Sequence, residues 1–161
     1  RKEALENGAT EIDDQFLKDE KGNPYKLVRL GSYIREKRIT ETIQALKNIS
    51  GGAMQTNNMG DVTPKFIILT TLNSGNHPFS HIATAKGKDN DIVDLDIHAL
   101  KEVLKDYQNN IHGDIFIGRR SGFLNEKADE LKALESEFTN VKIMTINEAI
   151  DSYTDQLKKQ I

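Results

Sequence analysis

Apolar residues recur along this chain with two periods, and the places where the period changes mark its elements. Ile39, Ile43, Leu46 and Ile49 are spaced by four, three and three, which sets them on one helical face. Thr40 stands in the N-cap role for that helix, and Gly51-Gly52 stop it. Lys65 to Leu72 holds the longest apolar run, Phe66-Ile67-Ile68-Leu69, and predicts a strand buried on both faces. Farther on, Ile97, Leu100, Leu104, Tyr107 and Ile111 share a helical face, with Asp94 or Asp96 as the cap. Asp114 to Gly118 reads as a short buried strand. Asn125 reads as the cap of a helix carrying Leu131, Leu134 and Phe138. Val141 to Ile146 is a strand, and Asn147 caps a last helix with Ile150, Tyr153 and Leu157. Alternating strands and helices predict parallel neighbours joined by right-handed crossovers, with helices over the sheet faces.

The front of the chain is different. Arg1 to Pro24 is mostly polar and reads as loose, Lys21-Gly22-Asn23-Pro24 is a turn signal, and Tyr25 to Leu30 alternates weakly as a strand. Residues 1–38 are therefore expected to be a loop-rich segment with one strand, part of the same fold, and residues 39–161 an α/β domain. Two polar stretches, Gly51–Pro64 and Asn73–Asp91, read as loops around the Lys65–Leu72 strand. There is no internal repeat. The chain opens on Arg1, not Met, and is read as a piece of a longer protein.

Composition narrows the function classes. At 161 residues, 37% hydrophobic and 29% charged, the chain suits one core. A net charge of −3 argues against gripping nucleic acid by bulk positive charge, but leaves room for a local basic groove. The absence of Cys excludes disulfides and thiolate metal sites and fits a reducing, cytoplasmic compartment. The longest apolar run is too short to span a membrane.

Candidate chemistry concentrates in two places. Between Lys47 and Lys88 the only acidic residue is Asp61, so the loops around the Lys65–Leu72 strand are neutral or basic. Gly51, Gly52, Gln55, Asn57, Asn58, Asn73, Asn76 and His77 offer backbone N–H groups, donors and acceptors suited to phosphates, sugars or base edges. Two solvated glycine-rich turns are the competing reading. Arg119-Arg120 follows a buried strand directly, at the end where ligands collect in open α/β sheets, and guanidinium forks suit phosphate. A surface pair bridging to carboxylates is the alternative there. Lys26, Arg29, Arg35, Lys37 and Arg38 form a second basic group. His77 and His81 are four apart, but Pro78 breaks the helix such a metal site needs. Asp89, Asp91, Asp94 and Asp96 read as helix capping more than as a metal site. No phosphate-loop, nucleophile-elbow or Cys-nucleophile signature is present. No catalytic residue, metal or cofactor is assigned.

Three segments together resemble a known family. Gly51-Gly52-Ala53-Met54-Gln55, then Asp61-Val62-Thr63-Pro64-Lys65-Phe66-Ile67-Ile68, then Gly75-Asn76-His77-Pro78-Phe79 are similar to the DevR-type (negative autoregulator) backbone subunits of type I CRISPR surveillance complexes. Asp114 to Leu124 resembles that family's later strand and turn, and Asn147-Glu148-Ala149-Ile150-Asp151 its last helix; the likeness runs from about Lys37 to Leu157. The resemblance implies a modified ferredoxin-like, RRM-like core with the strand–helix alternation in its C-terminal half, and an RNA-binding loop region at about 51–91. It implies a non-catalytic scaffold that binds CRISPR guide RNA without sequence specificity. Such a scaffold assembles with other copies of itself and other Cascade subunits, meets target DNA indirectly, and has no membrane partner. Gly51, Gly52, Gln55, Asn57, Asn76, His77, Arg119 and Arg120 are then the RNA-binding candidates, with Met54, Met59 and Phe79 available to wedge or stack. Related subunits that cut RNA use a loop Asp; nothing aligns Asp61 with it. The alternative reading is a doubly wound α/β domain holding a nucleotide or phosphorylated metabolite at the strand ends. A third is an interaction module whose amphipathic helices mediate assembly.

Overall fold

A computed structural model describes residues 1–49, 62–87 and 92–160. The protein is a mixed α/β chain. It divides into two compact units, one formed by Arg1–Thr42 with the carboxyl end from Leu157, the other by Ile43–Gln156.

The first unit holds helix α1 (Lys2–Glu6), strands β1 (Thr10–Lys18) and β2 (Pro24–Arg29), and most of α2 (Ser32–Gln44). Strands β1 and β2 form an antiparallel hairpin. The stretch read as loop-rich thus carries a helix and a second strand. The pattern hid β1 because almost all of its residues are exposed, so no face required apolar alternation. The turn is built by Asp19, whose carboxylate accepts the Lys21 and Asn23 backbone N–H groups at 2.9 and 2.8 Å. Those bonds, Asn23 foremost, hold the Asp19 carboxyl below its ordinary range. Thr40 lies inside α2 and does not cap it; its hydroxyl donates back to the Glu36 carbonyl at 2.9 Å.

The second unit contains the functional candidates. After a 3₁₀ turn (Ala45–Asn48) come β3 (Phe66–Leu72), β4 (Ala83–Lys86), β5 (Ile92–Leu95), α3 (Ile97–Asp106), β6 (Ile111–Arg119), α4 (Ala128–Glu137), β7 (Val141–Met144) and α5 (Ile146–Gln160). The main sheet has the order β3-β6-β7. Strand β6 pairs antiparallel with β3 and parallel with β7. The parallel expectation therefore holds for the β6–α4–β7 unit and fails for β3, which the chain leaves through the β4–β5 hairpin before α3. Strand β4 lies in what read as a polar loop. Asp94 is part of β5 and pairs with Lys86 across that hairpin, and Asp96 alone caps α3 by accepting the Ala99 N–H at 3.0 Å. Asp89 and Asp91 lie outside the described residues.

Strand β6 is the middle of three layers. Ile115 and Ile117 project into a cluster with Leu100 and Leu104 of α3 and Leu131 and Leu134 of α4. Phe116 and Gly118 project to the opposite face, where Phe116 meets Tyr153 of α5 edge-on at 6.2 Å and Gly118 meets Ile146 and Ala149. Burial of both faces explains the apolar residues Ile115-Phe116-Ile117 of β6; β3, whose longer apolar run predicted the same, is half-buried except at Leu69. Helix α5 is fixed to the sheet at three levels. The Tyr153 hydroxyl donates to the Thr70 carbonyl at 3.2 Å, Gln156 accepts the Asp114 N–H at 2.7 Å, and the helix start rests on Gly118. The segment before the sheet is tied to the same helix: Lys47 and Gln44 both reach Asp151, at 2.5 and 2.8 Å.

Gly118 leaves no room for a side chain. A Cβ there would stand 2.8 Å from Ile67 Cγ2, 3.0 Å from Ala149 Cβ and 3.0 Å from Ile146 Cα. One neighbour is backbone, so the helix itself must move. We expect Gly118→Ala to cost about 1–3 kcal/mol in urea unfolding. Gly75→Ala, where a Cβ meets nothing within 4 Å, should leave the midpoint nearly unchanged.

Candidate functional site

Helix and strand ends converge where β6 and β7 finish. Arg119, Arg120 and Ser121 after β6, with Thr145, Ile146 and Asn147 at the start of α5, line a cleft of about 370 Å³. Gly118 allows this closeness by bringing the α5 start against β6. The cleft thus sits at the carboxyl ends of two adjacent parallel strands, where backbone groups and a helix N-terminus face the same opening.

The turn after β6 is braced from within. Arg119 Nη1 donates to the Phe123 carbonyl and to Asn125 Oδ1, both at 2.8 Å, and Asn125 Oδ1 also accepts the Gly122 N–H at 3.1 Å. Asn125, expected as a helix cap, instead closes this turn; α4 begins only at Ala128, with no side-chain cap. Gly122 (φ 91°) and Leu124 (φ 51°) both lie in the left-handed region. For leucine that conformation costs on the order of 1–2 kcal/mol, and the burial of its side chain offsets it. The Arg120 N–H donates to the Lys65 carbonyl at 2.9 Å, extending the β3–β6 ladder by one bond past its last pair, Phe66–Arg119.

The alternative, carboxylate bridges, is not seen among the described residues: neither Arg119 nor Arg120 pairs with one there. Arg119 spends one nitrogen on the turn, and Arg120 is exposed. The basic group of the first unit is more committed: Lys26 pairs with Asp13, which raises its pKa, and Lys37 lies 3.9 Å from Glu41.

The start of α5 is a capping box. Thr145 is its cap, not Asn147. Glu148 Oε2 accepts the Thr145 hydroxyl at 2.7 Å and the Thr145 N–H at 3.0 Å, and the Glu148 N–H turns back to the Thr145 hydroxyl at 3.4 Å. The Thr145 hydroxyl first and its N–H second hold the Glu148 carboxyl below the ordinary glutamate value. The sequence carried this signal as Thr145-Ile146-Asn147-Glu148.

The other candidates do not gather at this cleft. Asn76 is exposed on the loop after β3. His77 lines a second, mainly apolar pocket of about 200 Å³ with Phe66, Ile68 and Phe79. Gly51, Gly52, Gln55, Asn57, Met54, Met59 and Asp61 lie outside the described residues. Among the described residues no group of three or more His, Asp or Glu side chains is arranged to hold a metal, and no helix is long and apolar enough to cross a membrane.

The chain matches no protein-family model, no curated protein and no solved structure.

Two outcomes test the helix start. Thr145→Ala is expected to lower stability by about 1 kcal/mol in denaturant unfolding. Because the folded-state pKa of Glu148 is depressed, its contribution is present above the ordinary glutamate pKa and is lost as pH falls through the folded value. Glu148→Gln should therefore lose less stability than the parent between neutral and acid pH, measured by thermal unfolding; equal losses would show that the carboxylate contributes nothing.

Proposed function

We propose that the chain is a guide-RNA-binding backbone subunit of a type I CRISPR interference complex, a non-catalytic cytoplasmic scaffold that works in antiviral defence. The observation that carries the reading is the cleft at the ends of β6 and β7, where two guanidinium groups stand without carboxylate partners among the described residues. The family resemblance of Asp114–Leu124 falls on the same turn. In this reading Arg120 and the unspent nitrogens of Arg119 hold backbone phosphates, Ser121 and Asn147 reach phosphate or 2′-hydroxyl oxygens, and the braced turn keeps them in place before RNA arrives. Contacts of this kind do not read base identity, which suits a subunit whose guides vary in sequence. Self-assembly along the RNA, association with other Cascade subunits and indirect contact with target DNA belong to the same proposal. So does a ferredoxin-like core, in which a further strand would add to the edge of β3 that no described strand occupies.

One observation favours a second reading, the nucleotide or phosphorylated-metabolite site. The cleft volume of about 370 Å³ is that of a small-molecule pocket. Against it, the turn after β6 carries a single glycine, Gly122, and not the glycine fingerprint of dinucleotide sites.

Fluorescence anisotropy of labelled single-stranded RNA separates the two. The guide-scaffold reading expects binding to RNA of any sequence that weakens as salt rises. Arg120→Ala should weaken all sequences alike and flatten the slope of log affinity against log salt by about 0.7. Absence of RNA binding at low salt, or a sequence-selective loss in Arg120→Ala, would overturn it. Thermal stabilisation by mononucleotides without RNA binding would favour the second reading.

A further inference from the structure

Strand β7 stands at one edge of the main sheet among the described residues. A free edge presents unpaired N–H and C=O groups, and another chain can add a strand to it. The ladder with β6 shows which groups of β7 point that way. The Ile115 N–H donates to the Asn140 carbonyl at 2.7 Å, so that carbonyl faces β6. Alternation along the strand then turns the main-chain groups of Lys142 and Met144 toward β6, and those of Val141 and Ile143 outward.

Both outward N–H groups of this four-residue strand are already taken from within the chain. The Val141 N–H donates to the Phe138 carbonyl at 3.1 Å, in the turn that leads out of α4. The Ile143 N–H donates to Glu135 Oε1 at 2.6 Å. Glu135 lies on α4 and is half-buried, and its second oxygen stands 2.6 Å from Lys132 Nζ. Lys132 first and the Ile143 N–H second hold the Glu135 carboxyl below the ordinary glutamate value. Glu135 Oε1 thus takes the place that the carbonyl of a neighbouring strand would take, through a charge-assisted bond of the stronger kind.

We propose that Glu135 closes the β7 edge from within, and that without it a second copy of this chain adds there, edge to edge. The outward groups suit a second copy. Val141 and Ile143 each turn an N–H and a C=O to the same side, and two identical edges laid antiparallel can exchange such bonds about a two-fold axis. The contact is therefore autoinhibitory: an edge complementary to itself is held shut by a side chain of its own helix. It is independent of RNA binding. A subunit that lines up along a guide gains from it, because open edges would join copies in the absence of RNA.

The test uses Glu135→Ala, Glu135→Gln and Lys132→Ala in the whole chain. Glu135→Gln keeps an oxygen that can accept the Ile143 N–H, and Lys132→Ala removes the ion pair but leaves the acceptor. Amide hydrogen exchange followed by NMR reads the bond, and sedimentation velocity across a range of protein concentration reads association. At low concentration the Ile143 amide of Glu135→Ala is expected to exchange roughly tenfold faster than in the parent. The Val141 amide, held by a carbonyl, should keep its protection. Raising the concentration is expected to shift Glu135→Ala, but neither of the other variants, toward a dimer in which the Ile143 amide is protected again. Unchanged exchange at Ile143, or equal loss at Val141, would overturn Glu135 as the closure. Faster exchange at Ile143 with no more association than the parent would overturn the second copy as the occupant. Equal association of Lys132→Ala would assign the effect to altered charge and overturn the proposal as well.

Discussion

The second unit depends on how closely α5 can approach the middle strand of the sheet. Gly118 sets that distance, because any side chain there would collide with the backbone of Ile146 as well as with Ile67 and Ala149. The consequences run in two directions. Toward the core, the close approach lets Phe116 meet Tyr153 and lets the Tyr153 hydroxyl reach the Thr70 carbonyl. Toward the surface, it sets Thr145, Ile146 and Asn147 beside Arg119, Arg120 and Ser121, so that a cleft exists at all. A strand ending in Ile-Gly-Arg-Arg thus encodes both a packing constraint and a site: the glycine admits the helix, and the arginines occupy the ground where the helix begins.

What the sequence made legible follows from burial. From Ile97 onward nearly every element has a face in the core, so its apolar period is enforced, and α3, β6, α4, β7 and α5 could be read with errors of only a few residues at their ends. Ile111 fits the helical period of α3 yet begins β6, because the chain turns at Tyr107–Asn110 and the same apolar residue serves either element. Strands β1 and β4 were invisible because they are exposed, and nothing in their composition is constrained by packing. The caps were misassigned for a different reason. Asn125 and Asn147 are good capping residues, but one is captured by Arg119 six residues earlier, and the other is outcompeted by a Thr-x-x-Glu box that satisfies two donors.

The candidate site was legible in part. The arginine pair stood out because it directly follows a buried strand, at the end where ligands collect in open sheets, yet the brace that Arg119 gives its own turn depends on a closure visible only in three dimensions. His77 and Phe79 were noticed as loop residues, but their convergence on Phe66 of β3 was not, since no local spacing records which way a loop folds over a sheet. Net charge does not describe the cleft. The chain carries more acid than base, and the acids are spent elsewhere, on Lys26, Lys47, Lys86 and Lys101, among others.

The capping box at the head of α5 has an electrostatic consequence for whatever enters the cleft. Glu148 is bonded to Thr145, a lining residue, and those bonds hold its carboxyl below the ordinary glutamate value. The carboxylate stands at the positive end of the α5 dipole and offsets part of it, so the cationic character of the cleft lining comes from Arg119 and Arg120 and not from the helix start.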